Sequence, residues 1–302
     1  LKKTLIVIAG PTAVGKTALS IELAKFFNCP IVSADSRQFF KEMSIGTAKP
    51  TKAEMSDVPH YFIDNVSIHD NYNVGQYERE AIECLENLFE NNQYVILVGG
   101  SGLYINAILN GVDEFEEIPT DIREQLNKSY QEKGITYLQE ELKLKDEIYY
   151  NQVDRNNPQR LIRALEVCLH TGKPYSSFRT KAKKERSFSS INLLINIDRE
   201  VLYQRINLRV DNMMKDGLLN EVKQLLPYKH LNALNTVGYK ELFDYFDNKI
   251  SLETAIEQIK QNSRRYAKRQ LTWFNNQGDF ETFAPTDIEK IKAYIDIVSQ
   301  YL

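Results

Sequence analysis

The chain has 302 residues, 42% hydrophobic and 26% charged, the balance of a globular protein able to bury a sizeable core. Its formal net charge of −3 excludes a uniformly basic nucleic-acid binder, so any contact with RNA must come from local patches. Cys29, Cys84 and Cys168 lie far apart without metal-ligand spacing, and no apolar run approaches a membrane span, which argues against a disulfide scaffold, a zinc site and a membrane protein.

Leu5-Ile6-Val7-Ile8-Ala9 reads as a buried strand that begins within a few residues of the first residue given, so no leader peptide and a cytoplasmic location are expected. The octet Gly10-Pro11-Thr12-Ala13-Val14-Gly15-Lys16-Thr17 follows, and a helical pattern opens at once with Ala18 and Leu19. Strand, glycine loop and helix form the context that gives G-x-x-x-x-G-K-[ST] its chemistry. Backbone N–H groups converge on one concavity, and the helix N-terminus adds positive potential. Lys16 would reach the outer phosphates of a di- or triphosphate, and the Thr17 hydroxyl would ligate Mg²⁺.

A second short strand, Ile31-Val32-Ser33-Ala34, delivers Asp35 to its C-terminal end. That carboxylate could serve Mg²⁺, act as a general base, or only cap the next helix. Ser33-Ala34-Asp35-Ser36-Arg37-Gln38 is dense in hydrogen-bonding side chains, and glutamine can read an adenine edge. Residues 75–91 form an amphipathic helix with Tyr77, Ala81, Leu85 and Leu88 on one side. Tyr94-Val95-Ile96-Leu97-Val98 is a third buried strand, ending at Gly99-Gly100 without the acid that an ordinary P-loop ATPase carries there. The glycines imply either a tight turn or close approach of a bulky group. Alternating strands and helices predict a parallel α/β sheet with its ligand site beyond the strands' carboxyl ends.

From Thr120 to Lys173 only helical signals occur. One helix opens at Asn157-Pro158, buries Leu161, Ala164, Leu165, Cys168 and Leu169, and stops at Gly172 and Pro174. A basic stretch over residues 179–186 precedes a returning strand, Leu193-Leu194-Ile195-Asn196-Ile197. The economical reading is a helical insert between two strands of one sheet. Beyond it, one helix from Arg199 carries Arg205 and Arg209 one turn apart, and another from Leu252 to Phe274 carries basic stripes at 264/268 and 265/269. Tyr266 and Trp273 among those cations suit either stacked bases or a core stripe.

Several motifs occur in a fixed order: the octet, Asp35-Ser36-Arg37-Gln38, Ile45-Gly46-Thr47-Ala48-Lys49-Pro50 and Val98-Gly99-Gly100-Ser101-Gly102-Leu103-Tyr104. Pro158-Gln159-Arg160-Leu161-Ile162-Arg163-Ala164-Leu165-Glu166, Gly238-Tyr239-Lys240-Glu241 and Lys268-Arg269-Gln270-Leu271-Thr272-Trp273-Phe274 follow. With these, nearly the whole chain resembles the bacterial tRNA dimethylallyltransferase family, also called tRNA isopentenyl transferases.

The resemblance implies a P-loop NTPase-like parallel sheet flanked by helices, with an all-helical insertion domain. Residues 1–112 would form the first part of the core. Residues 113–186 would form the insert clasping the tRNA anticodon stem-loop, and 187–302 the rest of the core. It implies transfer of a dimethylallyl group from dimethylallyl diphosphate to N6 of the adenosine 3′ to the anticodon, adenosine 37, with Mg²⁺ and without consumption of ATP. By the family match Asp35 is the catalytic base, assisted by Lys16 and Thr17. Residues 10–17 and Arg209 hold the diphosphate. Asp35, Ser36, Arg37, Gln38, Ser101, Arg123, Gln159, Arg160, Leu161, Ile162 and Arg163 contact the tRNA. A monomer is expected. Phe40 stands where many members carry tyrosine, and the Phe39-Phe40 pair is placed near the base or prenyl tail. Two other readings compete. A P-loop kinase would not need the insert arginines, and a non-catalytic RNA-binding module would leave Lys16 and Asp35 idle.

Overall fold

A computed structural model describes residues 2–113, 118–179, 183–277 and 279–302. It divides into two compact units, Leu1–Asn110 with Glu185–Leu302, and Gly111–Lys184. Three residues of the basic stretch, 180–182, lie outside the described residues.

The larger unit is built on a six-stranded sheet. Its strands are β1 (Thr4–Ala9), β2 (Ile31–Ser33), β3 (His60–Tyr61), β4 (Tyr94–Gly99), β5 (Ser189–Ile195) and β6 (Glu281–Phe283), in the order β3-β2-β4-β1-β5-β6. Every neighbouring pair is parallel. All six residues of β1 are buried, as a central strand covered on both faces requires. The helices of this unit are α1 (Lys16–Phe27), α2 (Lys52–Met55), α3 (Val74–Leu88) and α4 (Gly102–Asn110) before the insert. The insert contributes α5 (Thr120–Lys145), α6 (Glu147–Tyr150) and α7 (Pro158–Thr171). The core resumes with α8 (Arg199–Lys215), α9 (Leu218–Gln224), α10 (Lys240–Phe246), α11 (Leu252–Asn275) and α12 (Ile288–Tyr301). No helix among the described residues is long and apolar enough to cross a membrane.

Two apolar clusters flank the sheet. One takes Leu5, Val7, Val32 and Leu97 against Tyr77, Ala81 and Leu85 of α3 and Val210 of α8. The other takes Ile6, Ile8 and Ile96 against Leu19 and Leu23 of α1 and Ile291 and Ile295 of α12. The alternation of Leu5 and Val7 with Ile6 and Ile8 is the period-two geometry of a strand. An aromatic group lies beneath the end of β2. Phe39 stacks on Tyr77 with centroids 5.1 Å apart, and Tyr104 is 5.1 Å from Tyr77. The Tyr77 hydroxyl donates to the Ser33 carbonyl at 3.0 Å. Phe39 is fully buried and Phe40 is 6% exposed, so both are core residues.

The glycines after β4 are explained by the chain itself. A Cβ on Gly99 would stand 2.6 Å from the Ala34 carbonyl oxygen, one on Gly100 would collide with the Gln270 amide, and one on Gly102 with the Trp273 ring. The bulky groups that approach this turn are therefore Ala34, Gln270 and Trp273.

The insert has its own small core of Leu126, Leu138, Leu142, Leu161, Ile162, Ala164 and Leu165. Asn157 caps α7 by accepting from the Arg160 amide, Pro158 occupies the first turn, and Gly172 ends the helix with φ 68°. Leu169, placed on the buried stripe by its spacing, is 45% exposed, and Val167 is buried instead.

The crowding at Gly102 can be tested. Gly102→Ala is expected to destabilise the protein by about 1–3 kcal/mol through overpacking against Trp273, read as a lowered denaturation midpoint. Combining it with Trp273→Leu should recover part of that loss.

Candidate active site

The octet connects the buried strand β1 to the first turn of α1, where it must reverse direction within a few residues. Gly15 meets this demand at φ 109°, in the left-handed region that favours glycine, and Ala13 also sits there at φ 65°. Lys16 folds back over the loop, and its Nζ donates to the carbonyls of Gly10 at 2.9 Å and Pro11 at 2.8 Å. Arg209 reaches in from α8, and its guanidinium donates to the Thr12 hydroxyl. Arg205, one turn earlier, donates to the Val14 carbonyl at 3.2 Å. The octet is thus braced by two arginines of one helix, of which only Arg209 was assigned from sequence.

Gln270 is the residue that sequence reasoning missed. Its Oε1 accepts from the Thr12 amide at 2.9 Å, and its Nε2 donates to the Gly100 carbonyl at 2.8 Å. One buried amide therefore ties the phosphate loop to the turn after β4 and to α11. The Thr12 N–H is engaged in this contact, so it is not among the loop amides directed at a ligand. The available signal was a polar residue interrupting the buried stripe Ala255, Ile259, Ala267 and Phe274 of α11.

Asp35 follows β2 and occupies a turn rather than a helix N-cap. Its Oδ1 accepts from the Arg37 amide at 3.1 Å, and its own amide donates to Ser33 Oγ at 3.2 Å. Ser36 and Ser101 join hydroxyls at 3.1 Å, and Arg37 donates to the Ala233 carbonyl at 2.9 Å. Gln38 directs Nε2 at the carbonyls of Thr47, 3.3 Å away, and Ala48, 3.2 Å away. Asp35, Ser36, Arg37, Gln38 and Ser101 are brought together around this turn. Tyr266 joins them, close enough to Asp35, Ser101 and Arg37 for all three to act on its hydroxyl, although burial is the main cause that raises it. Trp273 packs instead over Gly102 and against Phe274. The two aromatics of the basic helix thus divide, one facing the site and one the core.

The charges of the two clusters interact. Burial pulls the Lys16 ammonium down from 10.5 to about 8, while Asp35 pulls it back up and Arg209 pushes it further down. Burial also lowers the Arg209 guanidinium, and Asp35 opposes that shift. Lys16, Arg209 and Asp35 therefore form one electrostatic group at the carboxyl edge of the sheet.

Within the insert, Glu166 is 3% exposed and gathers two expected RNA contacts. It accepts from Arg123 Nε at 2.8 Å and lies 3.5 Å from Arg163 Nη1, holding both guanidiniums on the surface. Gln159 and Arg160 are exposed on the first turn of α7. Leu161 and Ile162, also named as RNA contacts, are fully buried, because their helical positions face the insert core. Their side chains pack into that core and are not exposed at the surface. Among the described residues no group of three or more His, Cys, Asp or Glu could hold a metal.

The family described as IPP transferase matches residues 38–277. The chain belongs to that family. A tRNA dimethylallyltransferase of Flavobacterium johnsoniae is 54% identical over 300 residues, covering 97% of each chain. A tRNA dimethylallyltransferase 1 of Bacteroides thetaiotaomicron is 49% identical over 292 residues, covering 97% of this chain and 95% of that one. Among solved structures, the full-length tRNA isopentenylpyrophosphate transferase of Bacillus halodurans superposes with TM-score 0.73 at 36% identity, covering 98% and 96% of the two chains. A eukaryotic dimethylallyltransferase acting on tRNA gives TM-score 0.80 at 28% identity, covering 99% of this chain and 79% of that one. These matches span both units, and they bear out the P-loop-type parallel sheet with a helical insertion.

The depressed Lys16 has a consequence for the ligand-free protein. The folded state holds fewer protons than the unfolded chain between pH 8 and 10.5, so this group's contribution to stability rises with pH across that window. Lys16→Met, which removes the buried charge, should therefore gain most over wild type below pH 8. Thermal melts across this range should show the gain shrinking as pH rises. A difference in melting temperature that does not vary with pH would contradict the assignment.

Proposed function

We propose a division of labour for the reaction this chain carries out, the transfer of a dimethylallyl group from dimethylallyl diphosphate to N6 of adenosine 37 of tRNA. The phosphate loop, Lys16 and Arg209 take the diphosphate of the prenyl donor. Asp35 takes the proton from N6. The adenine amino group is a weak nucleophile, because its lone pair is delocalised into the ring, so loss of its proton must accompany formation of the new bond. N6 attacks the allylic carbon, the carbon–oxygen bond breaks, and the electron pair leaves on the diphosphate. Charge then grows on oxygens facing two half-buried cations, where preorganised donors act strongly.

The observation that carries this reading is the gathering of Lys16 and Arg209 on the octet, with the Asp35 carboxylate at the same edge of the sheet and within reach of their charges. Two cations for a leaving anion and one carboxylate for a departing proton are the parts the transfer needs.

Mg²⁺ fits the residues present. The Thr17 hydroxyl stands on the exposed first turn of α1, Asp35 supplies a carboxylate nearby in the fold, and no all-protein cage exists among the described residues. Few protein oxygens, completed by water and substrate phosphate, are what this small hard cation takes. Bound there, it would neutralise negative charge on the diphosphate.

On the RNA side, Asp35, Ser36, Arg37, Gln38 and Ser101 would receive the extruded base, which must leave its stack for chemistry at N6. Arg123, Gln159, Arg160 and Arg163 would meet the phosphate backbone of the anticodon stem-loop. The chain would act as a monomer in the cytoplasm.

Purified protein given dimethylallyl diphosphate, Mg²⁺ and unmodified tRNA should release diphosphate and add the mass of one dimethylallyl group to the RNA. Phosphate transfer from ATP in the absence of RNA, with the tRNA mass unaltered, would refute the reading in favour of a kinase. Asp35→Asn should bind tRNA normally yet lose about 10²–10⁴-fold in single-turnover rate, the span typical of general-base catalysis. Arg160→Ala and Arg163→Ala should weaken tRNA binding and make its logarithmic salt dependence shallower, by about one unit of slope per lost phosphate contact. Titrations at several salt concentrations decide this, since parallel lines for variant and wild type would remove the two arginines from the interface.

A further inference from the structure

Glu221 of α9 lies outside the site described above, yet it is among the most heavily bonded side chains in the larger unit. Its Oε2 accepts from the backbone amides of Ser44 at 3.2 Å and Ile45 at 2.8 Å. Its Oε1 accepts from the Gly46 amide at 3.0 Å and the Tyr239 hydroxyl at 2.7 Å. Four donors fill the capacity of one carboxylate. The amides belong to the start of the 3₁₀ turn Ile45–Thr47, whose first N–H groups have no partner within the turn itself. Glu221 is the internal anion that satisfies them.

The packing enforces this arrangement. Tyr239 is fully buried, and a Cβ on Gly46 would stand 2.6 Å from its ring, so only glycine lets the turn approach the phenol. Gly238, at φ 96°, donates its amide to Glu241 at 2.9 Å, and Glu241 accepts from Asn262 of α11 at 2.7 Å. The motifs at 45–50 and 238–241 thus meet at a single carboxylate.

The far side of the same turn faces Gln38. The carbonyls of Thr47 and Ala48 receive both contacts of the Gln38 amide nitrogen. Because both partners are acceptors, the nitrogen must point to them. With its amide hydrogens directed at carbonyls, the group Gln38 has left for a ligand is an acceptor oxygen. Gln38 is itself joined to Asp35, its backbone amide donating to the Asp35 carbonyl at 3.1 Å.

We propose that Glu221 is a positioning residue for the RNA side of the site: it fixes the turn at residues 44–48, which fixes the amide of Gln38 beside Asp35. The proposal rests on the reading above that Gln38 and Asp35 meet the acceptor nucleotide. It assigns Glu221 no contact with either substrate. It also predicts an asymmetry, because the diphosphate side is held separately by Gln270, Arg205 and Arg209.

The test compares wild type with Glu221→Ala, Glu221→Gln, Gln38→Ala and the Glu221→Ala/Gln38→Ala pair. Rates are measured with unmodified tRNA varied at saturating dimethylallyl diphosphate, and then the reverse. Glu221→Ala should lower kcat/KM for tRNA by about 10²-fold, the scale of a small misplacement transmitted to reacting groups, with KM for the diphosphate unchanged. Glu221→Gln, which keeps one acceptor oxygen, should fall between. The pair should be no worse than Gln38→Ala alone, since a residue acting through another loses nothing further once that other is gone. Equal shifts in both KM values, or additive losses in the pair, would overturn the proposal.

If Glu221→Ala does not fold, Glu221→Gln and Tyr239→Phe carry the same comparison. Amide exchange at residues 44–48 reads the turn without catalysis. It should quicken in the Glu221 variants, and unchanged protection would overturn the proposal even if wild type left tRNA unmodified. Quickened exchange with an inactive wild type would retain the role of Glu221 in the turn and condemn only the reaction.

Discussion

Two cations held around one carboxylate are the constraint that organises this molecule. Burial strips water from Lys16 and Arg209, and Asp35 outweighs the repulsion of Arg209 on Lys16 but not the cost of that burial. The members of the site are held in place by bonds to the surrounding chain. In the ligand-free state Lys16 rests on two loop carbonyls and Arg209 on the Thr12 hydroxyl, the neutral acceptors within reach. An incoming diphosphate can replace those acceptors with full negative charge. In the proposed reaction, the dehydration cost of those cations would be offset by the anion that faces them.

The supports are buried or half-buried polar side chains, each bonded at more than one end. Gln270 joins the phosphate loop to the turn after β4, and Glu221 joins α9 to the 3₁₀ turn. Arg186, just inside the larger unit, donates to the carbonyls of Ala107 and Ile108 at the end of α4 and to Glu78 of α3. Such groups are costly when half satisfied and rigid when fully satisfied. One stands behind the octet and one behind the turn that carries Gln38. The third stands where the chain has just returned from the insert.

What could be read from sequence was what local pattern determines. The octet, β1, β2, β4 and the inward face of α8 at Leu202, Ile206, Val210 and Met213 follow from runs and spacings of neighbouring residues. The edge strands β3 and β6 escaped notice because two and three residues have no periodicity, and only their sheet neighbours make them strands. Gln270 and Glu221 act across 258 and 176 residues of chain, a separation that no window reveals. The motif match carried Leu161 and Ile162 to the RNA although Leu161 already lay on an apolar stripe. Burial shows that the stripe was the better guide, and that a contiguous motif on a helix mixes residues of two faces.

The absence of an acid after β4 also has a steric origin. The ends of β2 and β4 approach so closely that a Cβ at position 99 would strike the Ala34 carbonyl, and one at 100 would strike Gln270. No side chain, acidic or otherwise, fits where a P-loop ATPase holds the residue that helps it hydrolyse its nucleotide. The carboxylate comes instead from the next strand over, β2, carried on a turn whose other members are serines, an arginine and a glutamine. That places the carboxylate among hydrogen-bonding side chains rather than at the end of β4. In the proposed reaction, the nucleophile must be the amine that the acceptor side presents.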